Sequence, residues 1–299
     1  MSRPVTFTPP PGTRAHLLRT ARGEFAALTG EPEPGRPERG TALLLPGFTG
    51  SKEDFIALHA PLGAAGYRTV AVDGRGQYES QGPKDDESPY AQAELAQDVL
   101  AQVAALDAPG PVHLLGHSLG GLIARAAVIA DPAPFASLTL MASGPAAVAE
   151  PQQQRVKLLQ DALAALDMAQ VWEAIQALEP PEDAADVRDD TGGVRDDLRR
   201  RWMANSPAQL IATGRQLCTE PDRVDELAAL APPVHVVSGE RDDTWPVPLL
   251  DEMARRLGAE RSVIAGAEHS PNTDRPLETA AALAAFWDGR TPNRSSRQG

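Results

Sequence analysis

Short apolar runs alternate along the chain with longer segments whose apolar residues recur every three to four positions. That alternation predicts a parallel sheet covered by helices on both faces. Six strands are expected, over residues 41–45, 67–73, 112–115, 137–141, 234–237 and 261–264, each bounded by Gly or Pro. Helices are expected over 52–65 after Ser51, a good N-cap, and over 89–106, 119–130, 246–257 and 276–287. In the second of these, Leu95, Val99, Val103 and Leu106 share one stripe, which leaves Glu94 and Asp98 on other faces. One or two further strands are expected near Leu17 and Phe25, followed by a Pro-rich loop at 31–37.

Between about 145 and 207 the alternation breaks. Helical spacing returns through Val156, Leu159, Leu163, Leu166, Val171 and Ile175, and a charged stretch from Glu182 to Arg201 follows, with no strand pattern. The expected organisation is a core of residues 1–144 and 208–299 with a helical lid inserted at 145–207. Residues 290–299 read as a disordered tail.

Composition narrows the function. The chain has 299 residues, 42% of them hydrophobic, enough for one large α/β domain. Its formal charge of −13 argues against a nucleic-acid surface, which needs clustered Lys and Arg. Cys218, the single cysteine, permits neither an internal disulfide nor a Cys-based zinc site, and reads as a small buried or half-buried hydrophobe. The first residues lack the apolar core of a signal peptide. The longest small-apolar window, 122–130, is too short for a membrane span and contains Arg125. A soluble cytoplasmic protein is the expectation. No spaced His and carboxylate set suggests a metal, and no glycine-rich phosphate loop suggests a nucleotide, so no cofactor is implied.

The candidate chemistry begins at Gly116-His117-Ser118-Leu119-Gly120. A serine hydroxyl needs a base to take its proton and a backbone that holds it clear of the chain. A sharp strand-to-helix turn supplies the second condition, provided the flanking positions are small enough for close passage. Alone the pentapeptide is a common coincidence of glycines. Here an apolar strand precedes it and a small-residue helix follows.

With that context the chain resembles the α/β-hydrolase superfamily from about 41 to 287, the insertion aside. Leu45-Pro46-Gly47-Phe48 matches the family's loop after its third strand, and the segment from Asp73 to Ser80 matches the loop after its fourth, with Tyr78 where glycine is usual. Gly239-Glu240-Arg241-Asp242-Asp243-Thr244-Trp245-Pro246 is similar to its acid turn, and Gly266-Ala267-Glu268-His269-Ser270-Pro271 to its histidine loop. The resemblance implies a doubly wound, mostly parallel sheet and a catalytic set of Ser118, Asp242 and His269, in the family's order. It also implies an oxyanion hole from the backbone N–H groups of Phe48 and Leu119. Asp243 competes with Asp242 for the acid, and the spacing to Gly239 and Pro246 favours Asp242.

Other residues take quieter roles. His113 and His235 lie in strands and read as packed core histidines; His117 occupies a permissive position, and His16 and His59 carry no recognisable context. Arg75 and Asp73 are expected to serve their turn. Trp172, Trp202 and Trp245 are candidates for an acyl pocket, with helix packing an equal claim on the first two. The expected activity is hydrolysis of a small-molecule carboxylic ester, lactone or thioester through an acyl-Ser118 intermediate. Perhydrolase or haloperoxidase chemistry, acyl transfer, a cofactor-free lyase and a silent binding module remain alternatives.

Overall fold

The computed structural model describes residues 2–178 and 193–289. β1 (Thr13–Thr20) and β2 (Gly23–Gly30) form an antiparallel hairpin, and β2 pairs antiparallel with β4 (Tyr67–Val72). From β4 onward the sheet is parallel, through β3 (Gly40–Leu45), β5 (Val112–His117), β6 (Phe135–Met141), β7 (Val234–Gly239) and β8 (Glu260–Ile264). Its eight strands run in the order β1-β2-β4-β3-β5-β6-β7-β8.

The central strands are apolar at successive positions because both faces are covered. Leu43, Val70, Leu114, Leu138 and Val236 belong to one core layer. Leu44, Ala71, Leu115, Met141 and Val237 belong to the other. Helices α2 (Gln92–Ala105), α3 (Leu119–Ala130) and α9 (Val247–Leu257) contribute to the first layer, and α1 (Ile56–Ala64) and α11 (Pro276–Asp288) to the second. The short α10 (Pro271–Asp274) precedes α11. All six expected core strands are present, and the two weak N-terminal ones form the hairpin.

Three local expectations change. A 3-10 turn (Lys52–Phe55) precedes α1, so Ser51 opens that turn and its N–H meets Asp54 Oδ2 at 3.2 Å. Asp98 is buried on α2, where it receives Arg22 Nε at 2.7 Å and two Arg75 nitrogens at 2.6 and 2.7 Å. The helical stripe did not reveal this because both arginines arrive from distant turns. The helical spacing from Val156 to Ile175 belongs to two helices, α4 (Glu150–Ala165) and α5 (Met168–Leu178); Leu166 sits at the break and is exposed.

The helical tract between β6 and β7 also continues past 207. After α6 (Gly193–Ala204) come α7 (Pro207–Thr219) and α8 (Val224–Ala229), and α7 packs on α4, close enough that a Cβ at Gly214 would lie 3.1 Å from Val156. Trp172 and Trp202 share an apolar cluster with Leu163, Val171, Leu198 and Leu210. Residues 182–192 of the charged stretch, and the expected tail at 290–299, lie outside the described residues. No described helix is long and apolar enough to cross a membrane.

Candidate active site

The loops at the carboxyl ends of the parallel strands converge where an open α/β sheet places its ligands. Ser118 stands between β5 and α3 with φ +53° and ψ −119°, a backbone conformation outside the ordinary regions. Such strain costs on the order of 1–3 kcal/mol and persists only where the surroundings enforce it. They do so here. A Cβ at Gly116 would meet Gly120 O at 2.2 Å, and one at Gly120 would meet Leu45 O at 2.5 Å. The glycines around Ser118 are required by contact between β5, α3 and the end of β3.

His269 Nε2 lies 3.0 Å from Ser118 Oγ, and its Nδ1 lies 2.9 and 3.0 Å from the two Asp242 oxygens. Asp242 is held by the N–H groups of Thr244 and Trp245, which reach its Oδ1 at 2.8 and 3.2 Å. Its side chain is fully buried, whereas that of His269 keeps about a quarter of its exposure. In this geometry Nδ1–H donates to Asp242 and leaves the Nε2 lone pair facing the serine hydroxyl, the arrangement a general base needs. Asp243 turns outward, to Gln152 Nε2 at 2.6 Å and Arg155 at 3.3 Å on α4. The acid turn thus presents Asp242 to the imidazole and Asp243 to α4.

Beside them, Gly50 N–H closes a turn onto Gly47 O at 3.1 Å, with Phe48 and Thr49 inside it. A Cβ at Gly47 would stand 3.1 Å from Ser118 Cβ, so this turn passes directly against the serine. Leu119, first residue of α3, presents one of the N–H groups that a helix start leaves without an intrahelical acceptor. The turn is supported from below: Asp73 accepts Lys52 N–H at 2.7 Å and Lys52 Nζ at 3.0 Å, and Ser80 Oγ donates to Asp73 O at 2.8 Å. Arg75 pairs with Asp98, away from the serine. Tyr78 adopts φ +40° and its N–H reaches Asn205 Oδ1 at 3.2 Å, so its loop docks on the end of α6.

A cavity of about 310 Å³ opens on Ser118 and His269. Phe48, Val148, Val156 and Leu217 give it an apolar side, and Gln152 and Arg155 a polar rim. None of the three tryptophans lines it. Trp202 Nε1 donates to Met168 O at 2.7 Å within the insertion, and Trp172 packs in the same cluster. Trp245 is fully buried, donates to Ala146 O at 2.8 Å and lies with its ring 6.3 Å from that of His269. The pocket expectation for these side chains is corrected: their size and apolarity serve packing. The α4 residues that do line the cavity, Gln152, Arg155 and Val156, are spaced three and four apart. Of the three, only Val156 belongs to the apolar spacing along the sequence, and nothing there says which surface it meets.

His117 is more than a permissive neighbour. It is buried and its Nε2–H donates to the His269 carbonyl at 2.8 Å; burial, with the nearby His269, lowers its pKa to about 4, so the ring is neutral.

A family model described as "Alpha/beta hydrolase family" matches residues 42–282. A pimeloyl-[acyl-carrier protein] methyl ester esterase of Aeromonas hydrophila is 34% identical over 234 residues, covering 73% of this chain and 84% of that protein. An esterase of the same description from Edwardsiella ictaluri is 30% identical over 258 residues, covering 80% and 95%. Among solved structures, a carboxylesterase structure from Nitrososphaera gargenis superposes with a TM-score of 0.72 at 20% identity, over 92% of this chain and 99% of that one. At that identity the likeness speaks for the fold alone.

Proposed function

The chain belongs to the alpha/beta hydrolase family, and we propose that within it the protein is a serine hydrolase that cleaves carboxylic esters, with lactones and thioesters as related substrates. The observation that carries this reading is the unbroken chain Asp242–His269–Ser118, with both contacts to the imidazole at 2.9–3.0 Å. Similarity to esterases of 30–34% identity supports the choice of bond.

In the proposed mechanism Ser118 Oγ attacks the acyl carbon while its proton passes to His269 Nε2. The oxygen of the tetrahedral intermediate takes its charge between the N–H groups of Phe48 and Leu119, where loss of one donor typically raises the barrier by about 3 kcal/mol. Collapse expels the alcohol or thiol, which receives the proton from His269. Water, activated by the same imidazole, then releases the acid and restores Ser118. Asp242 keeps the imidazole in its working tautomer and stabilises the imidazolium. The helical tract between β6 and β7 acts as a lid that shapes the acyl site and limits water. We place the reaction in the cytoplasm, a reading supported by the lone cysteine.

A fluorophosphonate probe is expected to label the wild type at Ser118, with labelling absent in Ser118→Ala and strongly reduced in His269→Ala. Equal labelling of folded Ser118→Ala and wild type would overturn the assignment. Trapping of an acyl-enzyme from an ester, thioester and lactone panel separates hydrolysis from lyase chemistry on the same residues.

A further inference from the structure

Beneath the turn that carries Phe48 lies a fully buried ion pair. Arg201, on α6, places Nη1 2.8 Å from Asp54 Oδ1; both side chains are at 0% exposure. The same nitrogen lies 3.4 Å from Ser51 Oγ, Nη2 donates to Ser2 O at 2.5 Å, and the guanidinium sits 5.5 Å from the Phe7 ring. The other Asp54 oxygen accepts Ser51 N–H at 3.2 Å and lies so close to Gly50 that a Cβ there would be 2.4 Å away. Asp54 O accepts Asn272 Nδ2 at 2.7 Å, three residues beyond His269. Phe48 itself packs against the apolar cluster of the insertion. The Asp54 carboxylate thus joins the Gly47–Gly50 turn to an insertion helix, while the Asp54 backbone carbonyl holds the segment after His269 and Arg201 reaches the N-terminal segment.

This ion pair is poorly explained as a stabilising device. Removing two charges from water costs nearly what their attraction returns, and an apolar pair of similar volume often serves stability as well or better. What the pair supplies is direction, because a guanidinium and a carboxylate accept only a narrow range of mutual geometries. That direction is imposed on Ser51 and Gly50, the residues that end the turn holding Phe48.

We propose that Arg201 is a positioning residue for the oxyanion-binding turn, acting through Asp54 to hold the Phe48 N–H where the reacting oxygen forms. The insertion then completes the site as well as covering it. The role rests on the reading of Ser118 as the acylated nucleophile. It acts on transition-state stabilisation and leaves ground-state binding in the cavity largely alone.

The test compares Arg201→Met, Arg201→Lys and the double variant Asp54→Leu with Arg201→Met on a p-nitrophenyl ester. It reads kcat and KM separately, together with inhibition by a trifluoromethyl ketone of the same acyl chain, whose adduct needs the oxyanion donors. Arg201→Met and the double variant are expected to lose kcat by about ten- to a hundredfold, within the range seen when a positioned donor is misplaced. KM should stay within about threefold, and ketone affinity should fall in step with kcat/KM. Arg201→Lys, which keeps a cation facing Asp54 but lacks the planar guanidinium, should recover only part of the loss. The double variant leaves no buried charge unpaired, so it reads the effect even if Arg201→Met does not fold. Wild-type kcat and ketone affinity in a folded Arg201→Met or double variant, a loss confined to KM, or equal losses in the Met and Lys variants would each overturn the role. Failure of the probe to label wild-type Ser118 would overturn the underlying assignment instead, so the two failures are distinguishable.

Discussion

At the scale of single residues, two adjacent carboxylates of like chemistry have opposite surroundings. Asp242 is buried with two backbone donors and His269, while Asp243 is exposed and meets Gln152 and Arg155 on α4 and the neighbouring Thr244 hydroxyl. Asp242→Asn should therefore lower kcat by about 10³- to 10⁴-fold, since an amide cannot hold the imidazole tautomer. Asp243→Asn should leave kcat within about threefold, because exposed ion pairs contribute about 0–1 kcal/mol. Steady-state kinetics of the two variants, run side by side, check the assignment, and a reversal of their order would refute it. The glycines give a second residue-scale prediction. Gly120→Ala would drive a methyl onto the Leu45 and Pro46 carbonyls at 2.5–2.6 Å, and because both obstacles are backbone the strand end must move. A loss of more than about 3 kcal/mol in denaturant unfolding is expected, at the upper end for single substitutions. Ser118 and its glycines were legible because a strained turn demands particular residue types. His117 was not, since its contact is with the backbone of a residue 152 positions away.

At the scale of elements, the helical insertion is fastened to the core at its stems. Arg125, buried on α3, donates to Gly144 O at 3.2 Å, Pro145 O at 2.7 Å and Glu220 Oε1 at 2.7 Å, while Ala147 N–H meets Glu220 O at 2.9 Å. One side chain of the nucleophile helix thus holds both the exit from β6 and the end of α7. Arg125→Leu would leave Glu220 buried without its cation and should cost about 3–5 kcal/mol. The Arg125→Leu, Glu220→Leu double variant should recover a large part of that, and chemical denaturation of both measures the difference. From the sequence, Arg125 counted only as an interruption in an apolar window. Hydrophobic spacing records which face of a helix is buried, whereas the partner of a buried charge is decided by how distant segments dock. Asp98 on α2 escaped notice for the same reason.

At the scale of the whole molecule, pH acts through histidines that folding removes from water. Burial lowers His59, His113, His117 and His235 to about 4 from an ordinary value near 6.5. Their folded-state values lie below the unfolded one, so the unfolded chain binds more protons between about pH 4 and 6.5. Stability is then full above pH 6.5 and declines as pH falls toward 4, by about 1.4 kcal/mol per pH unit for each group across that window. Asp73 works in the opposite sense, because burial raises it to about 7 and its charged form is disfavoured on folding. Four groups outweigh one, and thermal melting between pH 4 and 8 should show a Tm that falls steeply below about pH 6. In His235→Gln that fall should be shallower; an identical pH dependence would count against the histidine account.

The sequence by itself determined the layered α/β fold, the order of serine, acid and histidine, and the small residues at the sharp turn. Those features follow from local periodicity and from steric demands that each position states in its own residue type. Tertiary structure decided which side chains meet the cavity. Three tryptophans, chosen for size, proved to be packing residues, while Gln152, Arg155 and Val156 line the space in front of Ser118. It also decided that Arg201 and Asp54, 147 positions apart, share a buried contact under the Phe48 turn. Contacts of that kind arise where elements dock, and no pattern along the chain encodes the relative placement of two surfaces until both have folded.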